Sequence, residues 1–196
     1  MKNFTLMILC AGFGSRMLNL TRSTPKPLLK YKNKILLKNT IDFFTNIGCD
    51  EILINTHYLH HKIKKYLDKN FKKYPIQIIY EKTILGTGGG IKNIFNHTKR
   101  NKICVVNSDI FWTNKNKSHI KNFLSNYQDV SYCKMLLSKD INFLGLKKEN
   151  GDFNLKRNVV TNWNNKNEKL YYSGLQIVSK NIFNKRKKIF PMNEIW

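Results

Sequence analysis

Apolar residues in this chain gather in short runs, each closed by a polar or small residue. Six runs have the length and character of β-strands: "FTLMILC" (4–10), "EILINT" (51–56), "IQIIY" (76–80), "KICVVN" (102–107), "VSYCKMLL" (130–137) and "KLYYSGLQIV" (169–178). Between them the apolar spacing changes to three and four. Ile41, Phe44 and Ile47 mark one helix and Ile63, Tyr66 and Leu67 a second. Ile91, Ile94 and Phe95 mark a third, and Ile120, Phe123 and Leu124 a fourth. This alternation predicts an α/β layer fold with a largely parallel sheet and right-handed crossovers. After residue 138 the pattern changes. "FLGLKKENGDFNLKR" (143–157) sets an Asn-Gly turn between two strand-like pieces, which predicts a hairpin, and "NWNNKNEK" (162–169) is a polar loop. The closing "FPMNEIW" (190–196) predicts the first turn of a helix, capped by Asn193, with Ile195 and Trp196 on its apolar face. So short a turn is expected to bury almost nothing. No repeat or linker divides residues 1–196, which are expected to form a single domain.

The first run has three rival readings. Lys2 before "FTLMILC" looks like the start of a signal peptide, but the run is short and Leu9 is bulky where cleavage needs a small residue. "GFGSRM" (12–17) supplies two glycines of a dinucleotide fingerprint. Met17 stands where the third belongs, however, and "YKNKILLKN" (31–39) carries no acid for a ribose. No G-x-x-x-x-G-K-[ST] occurs, around "GTGGGIKN" or elsewhere. A buried strand closed by a glycine turn fits best.

Composition narrows the function classes. A chain of 196 residues can bury a proper core, and no apolar run approaches the roughly 18 residues that span a bilayer. The net charge of +23 invites a nucleic-acid reading. Yet the lysines are spread throughout and mixed with Asn and Ile, residues of A+T-rich codons. The aromatic residues sit inside apolar runs and are not interleaved with basic ones as stacking platforms. The charge is therefore read as a background that steers anionic ligands, with "KRNK" and "NKRKK" as solvated loops. Cys10, Cys49, Cys104 and Cys133 have neither disulfide-framework nor zinc spacing and read as reduced, mostly buried thiols of a cytoplasmic protein.

Ligands of open α/β sheets bind beyond the carboxyl ends of the strands. Four polar motifs fall at such ends: "CAGFGSR", "NTHYL", "EKTILGTGGG" and "NSD" (107–109). Gly12 and Gly14 let backbone N–H groups approach an anion. Arg16 can grip phosphate oxygens bidentately, and Lys26, stiffened by Pro25 and Pro27, offers a point charge. Asp109 is either a turn or cap residue or a Mg²⁺ ligand beside phosphate oxygens. The glycines of "LGTGGG" can face a planar base or merely lead into the third helix. His57, His60 and His61 read as a solvated helix start and not as a metal cluster.

"LCAGFGSRMLNLTRSTPKPLL" resembles the nucleotide-binding signature of the sugar-1-phosphate nucleotidyltransferases, L-A-A-G-x-G-x-R followed by P-K-P-L. "INTHYL", "LGTGGGI", "VVNSDIFW" and "SGLQIV" continue the resemblance over nearly the whole chain. Within the family, "NTHYL", "TGGGI", "NSDIFW" and "FPMNEIW" look most like bacterial N-acetylmuramate-1-phosphate uridylyltransferases, with mannose-1-phosphate guanylyltransferases as close relatives. The resemblance implies a Rossmann-like, three-layer (GT-A-like) fold with a mixed, mostly parallel sheet. It implies transfer of a nucleotidyl group from an NTP, most simply UTP, to a sugar 1-phosphate with Mg²⁺, in cell-wall precursor recycling. GTP with mannose 1-phosphate, CTP with choline phosphate, and a catalytically weak nucleotide-binding regulator are the alternatives. By resemblance, Ala11, Gly12 and Gly14 hold the nucleotide through backbone groups. Arg16 contacts the β,γ-phosphates, and Lys26 bridges the α-phosphate and the sugar phosphate. Glu81 and Gly86 lie against the base, Asn107 and Gly174 near the sugar, and Asp109 carries the metal. Asn19 departs from the usual proline. The family's "VGTP"-like last strand and second metal-ligand Asp are absent, so the domain is expected to continue beyond residue 196.

Overall fold

The computed structural model describes residues 3–139, 149–164 and 168–196. In chain order its elements are β1 (Phe4–Cys10), α1 (Leu18–Thr21), β2 (Lys30–Tyr31), β3 (Lys34–Ile35), α2 (Leu36–Thr45), β4 (Cys49–Thr56), α3 (His60–Asn70) and β5 (Ile76–Tyr80). α4 (Gly86–Ile94), β6 (Lys102–Asn107), α5 (Lys117–Ser125), β7 (Cys133–Ser138), β8 (Phe153–Lys156), β9 (Val159–Asn162) and β10 (Tyr171–Ser179) follow. All six expected strands and all four expected helices are present.

The main sheet has the order β5-β4-β1-β6-β10-β7. β1 pairs in parallel with β4 and β6, and β4 with β5. β10 alone is reversed, antiparallel to both β6 and β7. The sheet is thus mixed and mostly parallel. Alternate residues of its strands feed two cores. Leu6, Ile8, Ile52, Ile54, Cys104 and Val106 pack with Leu37, Ile41 and Phe44 of α2, Ile63 of α3 and Ile120 of α5. Met7, Leu53, Ile103 and Val105 pack on the other face with Ile91 and Ile94 of α4. Covering helices on both faces explain why the central strands are continuous apolar runs rather than alternating ones. Among the described residues no helix is long and apolar enough to cross a membrane.

A hairpin beyond those expected joins β8 to β9 through Arg157 and Asn158, both at positive φ (50° and 63°). Two such residues match the twist of a two-residue hairpin turn. The strand-like piece expected before Asn150–Gly151 lies largely outside the described residues. At the C-terminal end, Met192–Glu194 forms a single 3₁₀ turn whose cap position is Pro191, so Asn193 lies inside the turn and caps nothing. Nor is this segment poorly buried: Phe190 and Met192 are core residues, and Ile195 and Trp196 pack partly against that core.

Candidate active site

The chain builds β1, β4 and β5 in one direction, then returns to place β6 on the other side of β1. A crevice opens at such a switch point, beyond the carboxyl ends of the strands. Here it is a cleft of about 370 Å³ lined by residues from the ends of β1, β4, β5 and β6.

β1 leads into Ala11 and then the turn Gly12–Phe13–Gly14. Gly14 has φ +70°, and its carbonyl accepts hydrogen bonds from Met17 N–H (2.9 Å) and Thr21 Oγ1 (3.0 Å). A Cβ there would lie 2.9 Å from Thr21 Cγ2, so the turn itself requires this glycine. Gly12 differs: a Cβ would meet nothing within 4 Å. The chain's own packing does not demand it, and the open space faces the cleft. Arg16 follows in a one-turn 3₁₀ helix (Ser15–Met17), exposed and without an ion-pair partner among the described residues.

Lys26 opens a second 3₁₀ turn, Lys26–Leu28, set by extended Pro25 and closed by Leu28 N–H to Pro25 O (2.8 Å). Pro27 is buried, so the turn is anchored while the lysine stem stays in the cleft. Its ammonium forms an ion pair with Asp109 Oδ2 from the turn after β6. The pair joins residues 83 apart, and its side chains are 25% and 32% exposed. Among the described residues no three His, Cys, Asp or Glu converge. The lone carboxylate of Asp109 beside the open glycine turn suits Mg²⁺, which keeps waters and shares phosphate oxygens, and does not suit a zinc cage.

The other wall rests on a buried polar chain. Asn55 Oδ1 accepts from Cys10 N–H (3.0 Å), and Asn55 Nδ2 donates to Glu81 Oε1 (2.7 Å). Glu81 Oε2 accepts from Leu85 N–H (3.2 Å). Glu81 is only 3% exposed, and both its oxygens already have donors. Its carboxylate therefore ties β1, β4 and α4 together and frames the pocket. His57 Nδ1 donates to the Glu81 carbonyl (2.7 Å), and its ring stacks near Tyr80. His57 is thus fixed rather than solvated; only His61 of the three histidines is exposed. Phe13, exposed in the glycine turn, stands edge-on to His57 with ring centres 5.7 Å apart. Cys10 beside Ser108 is no nucleophile, because burial pushes its thiol far above the ordinary range.

Nine expected site residues line this one cleft: Ala11, Gly12, Gly14, Arg16, Lys26, Glu81, Gly86, Asn107 and Asp109. Gly174 does not. It lies at φ +80° behind the wall, where a Cβ would meet Ile110 (2.9 Å) and Asn107 Cβ (3.3 Å). Asn55, Thr87, Ser108 and Phe13 also line the cleft and were not singled out from sequence. Asn55 left a signal: a polar residue ending the buried run "EILIN".

A doubly covered, mostly parallel sheet with an open glycine turn, an exposed arginine and a lysine–aspartate pair at its switch point defines a doubly wound α/β protein with its candidate site at the strand ends. The chain belongs to the nucleotidyl transferase family, whose model matches residues 5–141. It is 27% identical over 187 residues to D-glycero-alpha-D-manno-heptose 1-phosphate guanylyltransferase of Campylobacter jejuni, covering 91% of this chain and 77% of that one. It is 34% identical over 109 residues to the mannose-1-phosphate guanylyltransferase catalytic subunit beta of Dictyostelium discoideum. That match covers 53% of this chain and 30% of the relative's length. The fold matches HddC from Yersinia pseudotuberculosis complexed with GMP-PN at TM-score 0.75 and 22% identity, over 97% of this chain and 83% of that one.

Proposed function

We propose that this protein joins a nucleoside triphosphate to a sugar 1-phosphate, giving a nucleoside diphosphate sugar and pyrophosphate. The observation that carries the reading is the placement of Gly12, Arg16, Lys26 and Asp109 around one cleft. In the proposed arrangement the triphosphate lies over Ala11–Gly14 with Arg16 on its β,γ end. The base lies on the side of Gly86, in the pocket that Glu81 frames. A phosphate oxygen of the sugar 1-phosphate attacks the α-phosphorus, and the bond to the pyrophosphate oxygen breaks in line. Lys26 leaves Asp109 to neutralise both the α-phosphate and the incoming sugar phosphate. Asp109 is the proposed holder of Mg²⁺, which when bound would supply further charge neutralisation on the triphosphate. Asn107 borders the sugar, with Gly174 supporting it from behind. No covalent enzyme intermediate is needed: rate comes from positioning and fixed charge.

For the base, both relatives named above are guanylyltransferases, which supports GTP with a mannose- or heptose-type 1-phosphate. They give no support to the uridylyl transfer expected from sequence. That second reading rests on "NTHYL", "TGGGI", "NSDIFW" and "FPMNEIW" alone. We place the reaction in the cytoplasm, a setting supported by four unpaired cysteines. A pyrophosphate-release screen of GTP, UTP, CTP and ATP against mannose, heptose, N-acetylmuramate and choline phosphates, with Mg²⁺, tests the proposal. Turnover is expected with GTP and a hexose- or heptose-type 1-phosphate. Nucleotide binding without turnover on any acceptor would instead favour a regulatory protein.

A further inference from the structure

The glycine run of "GTGGG" does something the sequence does not disclose. The segment 188–192, about a hundred residues further on, lies directly against it. A Cβ on Gly86 would sit 2.6 Å from Phe190 O, one on Gly88 2.2 Å from the Phe190 ring, and one on Gly89 2.3 Å from Lys188 O. These distances are shorter than any side chain tolerates, so the glycines are what let the segment approach. Hydrogen bonds then fasten it. Phe190 N–H donates to Leu85 O (3.1 Å), Gly89 N–H to Phe190 O (3.1 Å), and Met192 N–H to Thr87 Oγ1 (2.8 Å). Phe190 (3% exposed) and Met192 (1%) anchor the strap in the core shared with Ile91 and Ile94.

Gly86 and Thr87 are also lining residues of the cleft, together with the glycine turn after β1. The strap therefore holds one wall of the site from outside. Resting on the proposed reading that the cleft takes a nucleoside triphosphate, we propose that residues 188–192 position its nucleoside end. Phe190 and Met192 are positioning residues, acting through Gly86 and Thr87 without touching the ligand. Two consequences follow. Disturbing the strap weakens nucleotide binding and spares the chemical step. By reciprocity, a bound nucleoside must also steady the strap.

The first consequence is read by kinetics. Gly88→Ala drives a methyl into the Phe190 ring and is expected to raise KM for the nucleotide about fivefold or more, with kcat nearly unchanged. In a Phe190→Val background, which removes the ring, the same substitution should add little, because the two residues act as one contact. Equal effects of Gly88→Ala in both backgrounds would overturn the proposal. The second consequence needs no variant. Amide hydrogen exchange over residues 186–196 is measured on the wild-type protein, free, with Mg²⁺ and the best-binding NTP, and with Mg²⁺ and inorganic tripolyphosphate. Binding is followed by calorimetry on the same samples. Exchange at Phe190 and Met192 is expected to slow with the NTP and not with tripolyphosphate, which has no nucleoside. An NTP that binds and leaves these amides unchanged, or tripolyphosphate that protects them equally, would sink the strap's role alone. If no NTP binds, the reading of the cleft fails and this inference falls with it.

Discussion

Lys26 and Asp109 neutralise each other in the cleft, and their roles separate on substitution. A partly exposed pair of this kind contributes only about 0–1 kcal/mol to folding, so Lys26→Ala should leave the melting temperature nearly unchanged. Loss of one preorganised charge at the transferred phosphoryl group should lower turnover about 10²-fold or more. Unchanged kcat at saturating substrates would remove Lys26 from the mechanism. Asp109→Asn keeps size but loses the charge that a hard cation needs, and Mg²⁺-dependent turnover should vanish while circular dichroism stays native. The cysteines carry a separate expectation. Burial pushes Cys49 and Cys133 up to about 12, and raises Cys10 and Cys104 well above the ordinary thiol range. At about pH 8 the folded chain should resist alkylation that labels all four thiols in denaturant. Above about pH 8.5 the unfolded chain loses thiol protons that the folded chain keeps, so these groups lower stability as pH rises. Rapid labelling of the native protein would contradict that burial. Lys26 and Asp109 were legible in sequence because each stands out locally, between two prolines and after an apolar strand. Asn55 was not, since its meaning lies in bonds to Cys10, 45 residues away, and Glu81, 26 away.

Gly12 and Gly14 look alike in the motif, yet the turn after β1 uses them differently. Gly14→Ala puts a side chain at φ +70° and 2.9 Å from Thr21, and should destabilise the fold by about 1 kcal/mol or more. Gly12→Ala meets no atom of the chain and should melt within about 0.5 kcal/mol of the wild type. It should nevertheless bind nucleotide worse, because the methyl fills the space proposed for the phosphates. Paired thermal melts and nucleotide titrations check this, and an unimpaired Gly12→Ala would show that the ligand does not approach there. Most elements were legible because one periodicity rule suffices for buried strands and amphipathic helices. The errors came where geometry is not periodic. The turn at Arg157–Asn158, which joins β8 to β9, carries no Gly, Pro or Asn-Gly signal and was not read from sequence. Gly88 and Gly89, for which the sequence left open a base-facing role or a mere lead into the helix, face Phe190 and Lys188. "NKRKK", read as a solvated loop, exposes its side chains but lends the Lys188 carbonyl to that contact.

The formal charge of +23 belongs to the whole molecule and should act on encounter more than on chemistry. Raising ionic strength from about 0.01 to 0.15 M shortens the screening length from about 30 to 8 Å. It should therefore lower kcat/KM for the anionic substrates while kcat holds. A salt-independent kcat/KM would mean the distributed lysines do not steer. The layered fold was legible from the alternation of strand and helix. The return of the chain across β1 to place β6, which creates the crevice, is a long-range choice that no local pattern carries. If this crevice transfers a nucleotidyl group, the reversible transfer can be read backwards. The protein is incubated with Mg²⁺, labelled pyrophosphate and either a GDP-sugar (GDP-mannose or GDP-D-glycero-alpha-D-manno-heptose) or UDP-N-acetylmuramate. Label is expected to enter the nucleoside triphosphate with one of these donors, and to fall about 10²-fold in Lys26→Ala. No labelled triphosphate from either donor with a folded protein, or equal labelling by Lys26→Ala and Asp109→Asn, would contradict it.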